Sequence, residues 1–148
     1  MATSSQFINK VTAAVAKKDE LFSGNKLKYA YRAMLAGAFL TMSTAVGAIA
    51  ADKVNLIHPS LGPFFFAFIF AWGLIYVLFL NTELATSNMM FLTAGVYLKK
   101  INWQKAVAIL FYCTLFNLVG ALIIGFMFAH TSAFAGLTAK AFISKGVI

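Results

Sequence analysis

With one cysteine in 148 residues, the chain can form no disulfide within itself. The two histidines, His58 and His130, stand far from Cys113 and from each other in unrelated contexts. No metal-ligand spacing, nucleophile–base arrangement or phosphate-binding glycine loop occurs, which removes the usual starting points for an enzyme. Charge is scarce as well, at 11% of residues. Residues 1–32 lack an apolar stretch followed by a small-residue cleavage site, so no secretory signal is read there.

What is present is apolar. Hydrophobic residues make up 61% of the chain, 16 of them Phe, and mean hydropathy is +0.85. A soluble core of this size needs far less apolar side chain, whereas stretches of about 20 apolar residues are what a bilayer requires. The composition therefore predicts an integral membrane protein. The net charge of +8 does not read as a nucleic-acid footprint, because the basic residues cluster beside the apolar runs. Positive flanks of that kind set orientation and meet anionic lipid headgroups. Cys113 falls inside an apolar run and reads as a small packing residue; His58 beside Pro59 reads as an ordinary loop histidine.

Residues 1–32 read as a cytoplasmic N-terminal helix and linker. Phe7, Ile8, Val11, Ala14, Val15, Leu21 and Phe22 recur at helical spacing, with Lys10, Lys17 and Lys18 between them. This predicts an amphipathic helix, either lying on the membrane surface or docked on the cytosolic side. A transmembrane half-domain is expected over 33–129, with spans at about 33–51, 61–98 and 106–129, followed by an extracytoplasmic tail over 130–148. The small residues of the first span, such as Ala36, Gly37 and Gly47, favour close helix approach. As one helix, residues 61–98 would be about 57 Å long, nearly twice the hydrocarbon thickness. A hairpin would leave only about 16 Å of helix from Asn88 to Leu98. It would also strand Lys99, Lys100 and Lys105 across the membrane from Lys10, Lys17, Lys18, Lys26, Lys28 and Arg32, against the positive-inside rule. A single crossing by a broken helix satisfies both length and topology. The predicted fold is all-α, with three spans, the second broken at mid-membrane near 81–87.

Glu83 is the only charged residue in 61–98 and sits in the polar insert Asn81-Thr82-Glu83-Leu84-Ala85-Thr86-Ser87-Asn88. A carboxylate at bilayer depth costs about 3 kcal/mol or more unless buried against partners, so it marks either a functional site or a lock on the fold. Irregular backbone at that depth survives only where it is buried in protein or lines a polar cavity. Ser87 or Asn88 is expected to cap the short helix that follows, aiming the positive end of its dipole at the midplane. Transporters hold anionic groups in this way. The Thr86 hydroxyl and nearby free amides would donate hydrogen bonds to a small anion. Glu83 would repel one, so it is expected to anchor the loop by accepting donors. Upstream, Phe70 and Leu74 share one helix face and would form an apolar constriction if that face lines the break. The other aromatics between Phe64 and Leu74 read mostly as bulk facing lipid or neighbouring helices.

The insert Asn81 to Asn88 resembles a loop that typically reads Gly-Ala-(Asp/Glu)-Leu-Phe-Thr-(Ser/Gly)-Asn. Phe70-Ala71-Trp72-Gly73-Leu74-Ile75 precedes it at the matching distance. Ile101-Asn102-Trp103 and Asn117-Leu118-Val119-Gly120-Ala121-Leu122 follow in order. On these motifs, from about Lys28 to Ala129, the chain resembles the formate/nitrite transporter family of pentameric anion channels. The resemblance implies an aquaporin-like fold in the inner or plasma membrane, a homopentamer with a separate pore in each protomer, and no cofactor or metal. The expected substrates are small monovalent anions such as formate, nitrite or hydrosulfide, crossing as the anion or with a proton. By position, Phe70, Leu74, Leu84 and Ala85 correspond to the cytoplasmic-side constriction, and Thr86 to the loop threonine facing the substrate path. The N-terminal helix would contact neighbouring protomers.

Two residues depart from the family pattern. Ala85 stands where a bulky Phe is usual, which widens the expected constriction and brings larger monocarboxylates such as lactate within reach. Asn81 stands in place of the usual Gly and is expected to alter the turn. Family members have six spans in two inverted halves, and the match covers the first half. The second half, which carries the family's central histidine, is expected to be needed to complete each pore; Lys140 or Lys145 stands near the place of the family lysine. A non-transporting scaffold or regulatory half-protein is the competing reading. A small dual-topology exporter is a third, disfavoured by the one-sided Lys and Arg bias.

Overall fold

A computed structural model of the chain describes residues 2–58 and 60–131, with side chains from Ser5 onward. Most of the expected tail over 130–148, with Lys140 and Lys145, lies outside the described residues. The fold is all-α: α1 Ala2–Gly24, α2 Lys26–Asn55, α3 Leu61–Phe79, α4 Ala85–Tyr97 and α5 Trp103–Ala129. Three of these, α2, α3 and α5, are long and apolar enough to cross a membrane. Their outward faces carry exposed Phe64, Leu78, Phe111 and Phe126, a surface suited to hydrocarbon rather than water.

Local chemistry sets the helix ends. Asn25 separates α1 from α2, and its Oδ1 accepts from the Lys28 N–H at 2.9 Å, satisfying an orphan donor of the first turn. Asn102 takes the same position before α5. Both α3 and α4 end in Schellman turns. After α3, the Thr82 N–H donates to Val77 O at 3.0 Å and the Asn81 N–H to Leu78 O at 3.2 Å. After α4, the Lys100 N–H donates to Gly95 O at 2.8 Å and the Lys99 N–H to Val96 O at 3.0 Å. This motif needs a left-handed residue at its pivot, and Asn81 (φ 51°) and Lys99 (φ 56°) supply it. Asn81 thus adopts the conformation a glycine would, since asparagine tolerates that region better than other side chains. Asn81→Gly is therefore expected to unfold within a few tenths of a kcal/mol of the parent, and Asn81→Val about 1–2 kcal/mol less stable. Equal thermal unfolding of the two variants in detergent would rule out the left-handed turn.

α2 packs along both α3 and α5. Two glycines bring α2 and α5 into backbone contact: Gly37 lies against the carbonyl of Asn117, and Gly120 against that of Met34. The pairs 34/37 and 117/120 make one reciprocal crossing, and the contacts Lys26–Tyr112, Ala33–Asn117 and Met34–Gly120 show that the two helices run parallel. Gly73 gives α3 a similar approach to Ser43 of α2. A core of Tyr29, Ala33, Leu92, Ala106, Ile109 and Cys113 joins α2, α4 and α5. Phe22 of α1 adds edge contacts to Tyr29 and Tyr112 at 5.5 and 5.4 Å. α1 docks on α2 and α4 through a stripe of Val11, Val15 and Lys18, all buried. α1 is thus packed on the rest of the chain, and an ion pair from Lys105 to Asp19 ties the start of α5 to it.

Candidate functional site

The helix break covers residues 80–84 and is shorter than the 81–87 expected. α4 is already helical at Ala85, with extended Leu84 at its N-cap and no capping side chain of its own. Ser87 and Asn88 therefore lie in the first helical turn and are not caps. The physical reason is that the cap comes from another helix. Asn117 of α5 presents Oδ1 to the Ala85 N–H at 3.0 Å. Its Nδ2 donates to Ala33 O of α2 at 2.8 Å and to Glu83 O at 2.9 Å. One amide thus joins two spans, the break and the start of α4. The sequence reading quoted Asn117 only as part of a motif; the available signal was an amide in the middle of a 27-residue helix whose other amide and whose charge, Gln104 and Lys105, lie in its first turn.

Glu83 is held at every polar group. Its N–H donates to Arg32 O at 3.2 Å. Its carbonyl accepts from Asn117 and from the Cys113 thiol, the latter at 3.3 Å. Its carboxylate accepts from Lys18 Nζ at 2.7 Å, a pair buried on both sides. Lys17 donates to Asn81 Oδ1 at 3.1 Å. α1 therefore delivers two adjacent lysines to the break, and the acid is neutralised where it lies. Asn88 is fully buried, and its Nδ2 donates to the Tyr29 hydroxyl at 2.7 Å.

A cavity of about 360 Å³ lies between α1 and the break. Leu74, Leu84, Glu83 and Ser87 line it, with Lys17, Lys18, Val77, Thr82 and Phe91. Phe70, Ala85, Thr86 and Asn88 do not line it. Phe70 stacks on Phe66 with ring centroids 6.1 Å apart, and Ala85 packs against the buried core. Thr86 is exposed at the head of α4. Among the described residues, the amides of Thr86 and Ser87 meet no acceptor, as befits the first turn of a helix. No group of His, Cys, Asp and Glu among the described residues could hold a metal ion. The chemistry on offer is therefore hydrogen-bond donation at the positive end of a helix dipole, beside an acid already paired, an arrangement suited to an anion.

A family model described as "Formate/nitrite transporter" matches residues 5–147. The "Uncharacterized transporter YwcJ" of Bacillus subtilis is 25% identical over 142 residues, covering 93% of this chain and 54% of that protein. The "Nitrite transporter NirC" of Escherichia coli is 32% identical over 123 residues, covering 82% and 44%. The "Formate channel BtFdhC" of Bacillus thuringiensis is 34% identical over 79 residues, covering 53% and 29%. The chain spans about half the length of the first two of these relatives.

Proposed function

The chain belongs to the formate/nitrite transporter family, and from that premise we propose that it forms one wall of a membrane channel for small monovalent anions. Formate, nitrite and related monocarboxylates are the substrate class, in keeping with the names of its relatives. The N-terminus faces the cytoplasm, the assembly is a homopentamer, and a second, inverted half completes each pore. One observation carries the reading: α4 begins after the break with amides at Thr86 and Ser87 that meet no acceptor among the described residues, while Lys18 cancels the nearby acid at 2.7 Å.

The steps follow from charge and hydration. An anion leaving water needs replacement donors that are already oriented. The Thr86 hydroxyl and the first-turn amides provide them, and the helix dipole favours the negative charge without burying a free cation. Were Glu83 unpaired, its charge would oppose entry. Leu74 and Leu84 form the apolar narrowing on the cytoplasmic side, with Phe70 behind them, and the small Ala85 leaves room for larger monocarboxylates. Proton coupling would be supplied by groups of the other half.

Uptake of formate and nitrite into liposomes tests this. Thr86→Ala is expected to slow uptake about 10-fold, the equivalent of one hydrogen bond to a charged group. Thr86→Ser should retain most of the rate. Folded protein whose flux is indifferent to both changes would mean a scaffold that keeps the fold without the pathway.

A further inference from the structure

We propose that the groove between α4 and α5 binds one anionic phospholipid, its phosphate on Lys99 and Lys100 and an acyl chain along the groove. The groove has a volume of about 390 Å³ and a lining that includes Leu92, Val96, Tyr97, Trp103, Val107 and Leu110. Thr93 is the only lining side chain with a polar group besides the two aromatic tips. At the end of the groove the chain turns from α4 into α5, and both lysines lie in that turn. Tyr97 is 87% exposed and Trp103 61% exposed, beside the turn rather than in the core.

Three features select the occupant. The groove interior is apolar, so it takes hydrocarbon. Tyr and Trp at its end mark the level of the headgroups, where amphipathic rings settle. Finally, Lys99 and Lys100 are exposed and make no ion pair with any described acidic residue, unlike Lys18 with Glu83 and Lys105 with Asp19. The Schellman turn fixes their backbone, with Lys99 in the left-handed region and its N–H bonded to Val96 O. Two exposed lysines on a fixed backbone, between the Tyr97 and Trp103 that line the apolar slot, complement a lipid phosphate with a free negative charge. A zwitterionic lipid offers the same chain without that net charge, and a covering helix would need an acid at this point.

Trp103 is a built-in reporter, since Trp72 is the only other tryptophan. The full chain carrying Trp72→Phe would be placed in phosphatidylcholine nanodiscs doped with phosphatidylglycerol or phosphatidylcholine bearing brominated acyl chains. Quenching of Trp103 is expected at about 10-fold lower mole fraction of the brominated phosphatidylglycerol. The Lys99→Gln/Lys100→Gln pair should erase that preference, whereas Lys10→Gln/Lys28→Gln, which removes equal charge elsewhere, should leave it. Equal quenching by the two lipids would reduce the groove to ordinary lipid contact and overturn the proposal. Absence of quenching by either would show that another helix covers the groove, and would overturn it too. A preference lost equally in both lysine pairs would assign it to net charge and not to this site.

Discussion

Lys18→Met is expected to destabilise the protein by about 3–5 kcal/mol, the usual cost of removing one partner from a buried ion pair. Glu83 lies 5% exposed, and Lys18 is the only cation within ion-pair distance of it among the described residues. The mutation leaves a carboxylate with its backbone already committed to Arg32 O, Asn117 and Cys113, so the loop cannot swing it out to water. Glu83→Gln should cost less, because the lysine stem is long enough to carry its ammonium toward solvent. The double variant Lys18→Met/Glu83→Gln should recover most of the loss, to within about 1 kcal/mol of the parent, since neither charge is then buried alone. Thermal unfolding in detergent gives the three values. Trypsin cleavage within α1 reports whether the helix has left the break. If Lys18→Met unfolds with the parent, the pair does not hold α1 and the neutralisation of Glu83 needs another source.

Length and charge made much of this fold legible. Apolar runs measured against bilayer thickness pointed to three long apolar helices, as found, and the 38 residues of 61–98 were too long for one helix, so a break was expected there. Glu83 was conspicuous because it was the one charge in that stretch. The detail that escaped is of one kind: contacts made across space. Ser87 and Asn88 looked like caps because capping is usually read from neighbouring residues, yet the cap of α4 is Asn117, 32 positions from Ala85. The pattern of α1 showed an amphipathic helix but not that Lys18 belongs to its buried stripe. Val11, Val15 and Lys18 follow at four and three residues, so the apolar spacing continues into a lysine. That continuation was the legible hint, and its meaning needed the position of Glu83. Cys113 was read as a packing residue; it is fully buried, and its thiol also donates to the carbonyl of Glu83.

The crossing of α2 and α5 carries the other large effect, because it couples helix packing to the break. Gly37→Ala is expected to cost about 3 kcal/mol or more. Its added Cβ would fall on the Asn117 carbonyl, and a helical backbone cannot turn aside as a flexible side chain can. The helices must part, which alone costs about 1–3 kcal/mol. Asn117 is also the residue whose side chain holds Ala33 O, Glu83 O and the Ala85 N–H. Displacing its backbone strains three hydrogen bonds worth about 1 kcal/mol each. Gly120→Ala meets the Met34 carbonyl in the same way and should match it. Asn117→Leu would remove the hydrogen bonds while leaving the backbone crossing intact, so it should cost less than Gly37→Ala but loosen the same loop. Gly125→Ala is the control: none of the described residues lies within 4 Å of its added Cβ, and alanine in a helix interior gains about 0.5–1 kcal/mol over glycine. Unfolding temperatures should therefore fall sharply for positions 37 and 120 and rise slightly for 125. A uniform response at all three would mean that the glycines act through helix propensity alone, and that the backbone contact does not position the break.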